Sequence, residues 1–363
     1  MAGRMLRNRH VMEMLGWTAH EPVGWRAILG AALGVAVPAA AGLLFGKAAI
    51  GFAIAMGAML FGGPESAEKS GEHGAGRRSL TGIFVSAVFV GLAPPIATLC
   101  ARWNWGDALA IALVGVLAAV SGYSRPFAVA AMRFIIFLVM SMSVASQPGG
   151  NPGDVALMLG LGAIWGAIIR VTLRPAKGHP PASEAAAARN PTRRQRITRL
   201  KRVLRTAEGW QYPIRLALAL GLSSIIRHLW PDQHFSWVLV TAALLVERQP
   251  EALPVKTLQR ALGVVLGVVL TGLVLAELRS PFAIAALVCL LATLRPWLRA
   301  RNYLAYSAVM TPLVLLVMDL GTPIGGAVLI DRLIATLLGA AIVIAVNLFA
   351  VRFLIPRPAA GET

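Results

Sequence analysis

Apolar residues run in long unbroken blocks along this chain, and polar residues are confined to the gaps. The blocks fall at about 26–45, 48–62, 82–101, 106–122, 127–146 and 154–173, then at about 212–229, 235–246, 261–278, 281–294, 303–319 and 327–354. A helix needs about 20 apolar residues to cross the hydrocarbon core of a bilayer. In lipid every backbone N–H and C=O must be satisfied within the protein, which leaves helices or closed barrels. Barrel strands alternate apolar and polar at every second residue. These blocks do not alternate, so the expected fold class is all-α, a polytopic transmembrane helix bundle of about 12 spans. Several blocks are shorter than a full crossing, 48–62 and 235–246 most clearly.

The blocks also repeat. Gly24-Trp25 opens the first set of six and Gly209-Trp210 opens the second. Ala32-Leu33-Gly34 matches Ala219-Leu220-Gly221, Pro64 matches Pro250, Arg78 matches Arg260, and Gly162-Ala163 matches Gly339-Ala340. Each match is weak alone, but they keep one order. Six spans per set returns the chain to the side it started from, so the two repeats are expected to be parallel, related by an axis along the membrane normal. This divides the chain into an N-terminal segment 1–25, a first repeat 26–173, a linker 174–211, a second repeat 212–355 and a tail 356–363.

Charge sets the orientation. Only 14% of residues are charged, where a soluble domain carries roughly 25%. Lys and Arg number 34 against 16 Asp and Glu, a net charge of +18, and mean hydropathy is +0.70. With the N-terminus inside, the inside gaps collect nearly all of the Lys and Arg. The outside gaps keep Lys47, Arg102, Arg227 and Arg279. That asymmetry places both termini in the cytoplasm, in a bacterial inner (plasma) membrane. It also accounts for the basic balance without a nucleic-acid partner. The first long apolar block begins only after Arg26, too late for the short early core of a cleavable signal. Cys100 and Cys289 sit in apolar blocks, and no disulfide is expected.

The linker opens with a Pro/Ala-rich stretch that reads as a flexible tether. It continues into TRRQRITRLKRVLR, where Ile197, Leu200, Val203 and Leu204 recur at helical spacing among seven Arg and Lys residues. Two readings stand: a basic amphipathic helix on the anionic inner leaflet, or a positively charged inside loop.

Catalytic constellations are missing. The chain has no HExxH, CxxC or GxSxG, and its one Gly-rich Lys stretch (Gly42 to Lys47) lacks phosphate-loop spacing. No metal, no cofactor and no enzymatic activity is expected. The informative groups are charges within or beside spans. Arg133 lies about two turns into the fifth block, as a pathway charge or as a side chain snorkelling to the inside face. Arg215 opens the seventh block, and Asp331-Arg332 enter the last one. Paired short segments point to a transport site, which turns attention to 48–62 and 235–246. Gly263 and Gly267, one turn apart, suit close helix packing, as do Gly162, Gly166 and Gly339. Pro312 lies mid-span, where it kinks or opens the eleventh helix.

The second set carries a recognisable pattern. It has an early Arg215, Trp237 at its second span, Pro250 in the next loop, then Thr257-x-x-Arg260-x-x-Gly263-x-x-x-Gly267, and a late Arg332-Leu333 with Gly339. Over roughly 210–350 this resembles the fusaric acid resistance protein-like family, whose integral membrane domain also marks aromatic acid exporters. The first set shares only the repeat, with Arg78 as its weaker counterpart. The resemblance implies an exporter of aromatic carboxylic acids or related organic anions. A passive anion channel and a membrane scaffold with a lipid-binding linker are the alternatives. Arg260, Trp237, Arg215, Arg133, Arg332 and Arg78 become candidate substrate contacts, the guanidiniums for a carboxylate and the indole for stacking. The expected partners are membrane lipids, a small organic anion, through the family a periplasmic adaptor protein, and a second copy of the chain as homo-oligomer.

Overall fold

A computed structural model describes residues 23–61, 80–103, 105–145, 152–173, 192–230, 235–248, 253–278, 280–319 and 325–353. Among them are thirteen α-helices, one short 3-10 turn and no strand. In the first set, α1 is Trp25–Leu44, α2 Ala48–Phe61, α3 Leu80–Ala101, α4 Gly106–Val120, α5 Arg125–Ala145 and α6 Pro152–Thr172. A basic helix, α7, follows at Arg193–Arg205. The second set is α8 Ala207–Leu229, α9 Ser236–Leu245, α10 Leu253–Glu277, α11 Pro281–Arg301, α12 Tyr303–Asp319 and α13 Gly326–Phe353.

The twelve apolar blocks become twelve helices. Their ends differ from the blocks where charged turns extend the helix beyond the apolar stretch. Helix α8 starts at Ala207, ahead of the block at 212. Helix α10 starts at Leu253, because Lys256 and Arg260 are helical, and α11 runs on to Arg301 through Arg295 and Arg299. Six helices (α1, α3, α4, α10, α11 and α13) are long and apolar enough to cross a membrane. Apolar α2, α5, α6, α9 and α12 have shorter apolar stretches.

Where the short helices sit explains their length. The core is built largely from α2, α5, α9 and α12. In α9, nine of ten residues are buried, Ser236 through Ala243 and Leu245. At 1.5 Å per residue α9 is only about 15 Å long. A helix half the thickness of the hydrocarbon core is tolerated where protein, not lipid, surrounds it. The longer helices carry the exposed Leu, Val, Ile and Phe of the perimeter, including Leu92, Leu109, Leu266 and Leu348.

The packing follows one scheme in both sets. Helix α3 packs on α5 and α6, as α10 packs on α12 and α13. Helix α2 packs on α1 and α6, as α9 packs on α8 and α13. Between the sets, α1 meets α11 while α8 meets α4, and α2 meets α12 while α9 meets α5. The short helices α2 and α9 are not a packed pair. They approach the same neighbour, α5.

Glycine makes the closest approaches. Between α1 and α2 the chain turns at Gly46, which has φ +66°. A Cβ on Gly42 would lie 2.7 Å from Gly51 Cα, so the hairpin closes backbone to backbone. Gly162 of α6 meets Gly57 of α2 in the same way, with a Cβ at 2.8 Å from the Gly57 Cα, and Gly166 lies against Phe61. Gly339 of α13 sits on Thr241 of α9. Gly263 and Gly267 of α10 sit on Ser307 and Thr311 of α12. Pro312 lies within α12 and brings no N–H to its turn. The Ala308 carbonyl, four residues earlier, is 2.8 Å from where a Gly267 Cβ would stand.

Candidate functional site

Most of the buried polar atoms that find no hydrogen-bond partner among the described residues belong to α9, α10 and α13. They are Trp237 Nε1, Thr241 Oγ1, Thr257 Oγ1, Arg260 Nε, and both Nε and Nη1 of Arg332. Each such group costs desolvation that nothing among the described residues returns. Arg332 is 3% exposed and Arg260 7% exposed. The Arg332 guanidinium carbon is 3.7 Å from the centroid of the Trp237 ring, a stacked cation–π contact. Both cations lie on the packed pair of helices α10 and α13. No ion pair joins either to a carboxylate among the described residues.

Local sequence explains the placement. Trp237 stands in the first turn of α9, within a run so apolar that the helix is enclosed on all sides. Gly339 brings α13 close to α9, and Arg332 lies two turns before it on the same helix. Thr257 and Arg260 are three residues apart on α10, on one face. Chemically, Arg332 stacked on Trp237 makes a cationic, donor-rich site with a flat aromatic wall, and Thr241, Thr257 and Arg260 carry further unpartnered donors on α9 and α10. That set suits an organic anion.

The other candidates are placed differently. Arg215 is 3% exposed and its donors serve the fold. Nη1 donates to Asn347 Oδ1 at 2.8 Å, and Nη2 to the carbonyls of Glu247 and Arg248 at 3.0 and 3.1 Å. It therefore ties the end of α9 to α13. Arg133 lies 5.3 Å over the Phe61 ring, as Arg170 does at 5.6 Å, so its cation rests against an aromatic face in the core. That cluster belongs to the first set and α2. Arg78 lies outside the described residues, as does Pro250.

Two features had little signal in the sequence. Arg295, in a stretch where charge marked only the inside face, is 4% exposed and donates from Nη1 to the Met59 carbonyl at 2.7 Å. Asp107, in the first turn of α4, accepts from Ser224 and Arg227 of α8, and His228 Nε2 lies 3.7 Å away. Its signal was available: one acid opening an apolar block, on the side where Arg227 closes another. Asp107 also borders a narrow apolar crevice between α4, α5, α8 and α9 that α2 does not line.

Neither the curated proteins nor the solved structures contain a match to the chain. A family model does match, over residues 218–346, and it is described as fusaric acid resistance protein-like. The matched stretch contains Trp237, Arg260 and Arg332, so the donor-rich site lies within the part of the chain that is similar to fusaric acid resistance protein-like proteins.

Proposed function

We propose that the chain is a transporter that exports organic anions, aromatic carboxylates among them, across the bacterial inner membrane, and that Arg332, Trp237 and Arg260 bind the anion. The observation that carries this reading is the buried Arg332 guanidinium, stacked on the buried Trp237 indole, with donors that find no partner among the described residues. An uncompensated buried cation is costly unless something negative meets it. A carboxylate meets the arginines, and the ring it carries packs beside the indole. The family match supports a membrane transporter, and the resistance in the family's description favours outward movement.

In this reading all twelve helices of the two sets are spans or half-spans, and the sets are parallel repeats. The paired packing scheme, α1 on α11 with α8 on α4 and α2 on α12 with α9 on α5, supports it. The basic gaps and α7 then face the cytoplasm. Helix α9 is a short, protein-enclosed segment of the kind that transporters place at their binding sites.

The test is counterflow of a radiolabelled aromatic carboxylate in proteoliposomes holding the purified protein. Wild type should accumulate label, and Arg332→Gln should not, at equal reconstitution. If no member of a panel of benzoates and pyridine carboxylates exchanges, the anion reading is wrong. If label crosses as a leak with no counterflow, the protein is a passive channel.

A further inference from the structure

Helix α7 is fixed to the bundle. Thr192 and Gln195 form a reciprocal capping box that starts it. Ile197, Leu200, Val203 and Leu204 are half-buried, and α7 packs on α8 and on the 3-10 turn Ser121–Tyr123 at the end of α4. Trp210 donates from Nε1 to the Leu204 carbonyl at 2.9 Å. Gly209 lets the Val203 backbone come so close that a Cβ would collide with it. The opposite face carries Arg194, Arg199, Lys201, Arg202 and Arg205, all exposed, and the helix contains no acid.

Beneath α7 lies a half-open cavity of about 200 Å³. Its walls include Ala118, Ala119 and Gly122 from the first set, Val203 from α7, and Tyr212 and Arg248 from the second set. The cavity therefore sits at the seam where α4 meets α8. The Arg248 guanidinium lies 5.2 Å over the Tyr212 ring and donates to Ser121 Oγ, with further N–H groups left for a ligand. Trp210, 42% exposed, stands beside the mouth, where an indole marks the level of lipid headgroups.

We infer that this cavity and the α7 basic face form a binding site for one anionic phospholipid of the leaflet at the basic end of the bundle. The phosphate meets Arg248 at the mouth, the outward-facing α7 cations supply the surrounding positive field, and an acyl chain lies along Ala118, Ala119 and Val203. Charge complementarity selects the headgroup, since each basic residue near an anionic surface contributes favourably. The alkyl walls select a lipid over a free oxyanion. The site rests on the membrane reading but not on the transport reading, because it shares no residue with the Arg332 cluster. It places a lipid across the seam between the two helical sets.

The test uses the full chain purified in a neutral detergent, titrated with phosphatidylglycerol, phosphatidylcholine or inorganic phosphate. Bound lipid is counted by native mass spectrometry, and the thermal midpoint is followed in parallel. Phosphatidylglycerol should bind at least about tenfold more tightly than phosphatidylcholine and raise the midpoint, and phosphate should do neither. Arg194→Gln, Arg199→Gln, Lys201→Gln and Arg202→Gln together, all on an exposed face, should remove about tenfold or more of that affinity. Gly122→Leu should do the same by filling the cavity, because a Cβ there meets only a Val203 methyl at 3.9 Å. Equal binding of the two lipids, or unchanged phosphatidylglycerol binding in both variants, overturns the site. Phosphate binding as tightly as lipid, or displacement of lipid by an aromatic carboxylate, overturns the choice of a phospholipid.

Discussion

Arg332 stacks on Trp237 with its guanidinium carbon 3.7 Å from the ring centroid, both side chains closed off from solvent. The contact uses the face of a planar cation, which lysine lacks. It occupies Trp237 without satisfying Arg332, whose Nε and Nη1 remain unpartnered. Arg332→Lys should therefore keep the charge and lose the geometry. With a desolvated cation–π contact at about 2 kcal/mol, counterflow should fall roughly 30-fold. Trp237→Phe keeps a smaller aromatic face and should fall less. Equal rates for Arg332→Lys and wild type would mean that charge alone matters, and the stacked geometry would have no part in binding.

Arg215 makes the contrasting case. Its bonds to Asn347, Glu247 and Arg248 hold the end of a helix that is only ten residues long. Hydrogen bonds to a charged donor contribute about 1.5–3 kcal/mol each. Arg215→Ala should lower the thermal midpoint of the purified protein by several degrees. The apparent affinity for substrate in the protein that stays folded should not change. A loss of affinity with unchanged stability would move Arg215 into the anion site.

Close glycine contacts predict a pattern of tolerance. A side chain on Gly162 or Gly339 drives into α2 or α9, whereas Gly160, in the same helix as Gly162, has nothing within 4 Å. Overpacking costs about 1–3 kcal/mol, sometimes more. Gly162→Leu and Gly339→Leu should each reduce the folded yield and the thermal midpoint, and Gly160→Leu should leave both near wild type. A similar loss for all three would show that helix propensity or lipid exposure, not the close approach, sets the cost.

The legibility of this fold follows from which forces act along the sequence and which act across it. Lipid and protein interior both favour apolar side chains, so the twelve helices stood out as blocks. The amphipathic α7 showed through the spacing of Ile197, Leu200, Val203 and Leu204. Which helices form the core was less visible. Helix α9 is fully enclosed and α10 faces its surroundings on one side, yet both read as uniformly apolar, because lipid and protein interior favour the same side chains. The site was half legible. Arg260, Trp237 and Arg332 could be picked from a family resemblance, but no spacing distinguishes Arg332, whose Nε and Nη1 find no hydrogen-bond partner among the described residues, from Arg215, whose donors find four acceptors. Arg295 was hidden for a related reason. An arginine at the end of an apolar block serves equally as an interface anchor or as a buried clamp, and the Met59 carbonyl that decides between them lies 236 residues away.

At the end of the α4–α8 seam away from the α7 cavity, Asp107 accepts from Ser224 and Arg227. Both side chains of the ion pair are mostly buried, at 17% and 14% exposure. The pair joins the first helical set to the second, so it resists any separation of the sets along this seam. Removing one partner leaves an uncompensated charge in a poorly solvated place, and that penalty exceeds the worth of the intact pair. Asp107→Asn should thus destabilise the protein by about 2 kcal/mol or more, because Arg227 is stranded. Asp107→Asn combined with Arg227→Gln should recover most of the loss, since two neutral amides can hydrogen-bond across the same gap. A thermal-unfolding cycle over the four proteins gives the coupling directly. Additive losses would show that the two residues act independently and that the seam is held by the apolar contacts of α4 and α8 alone.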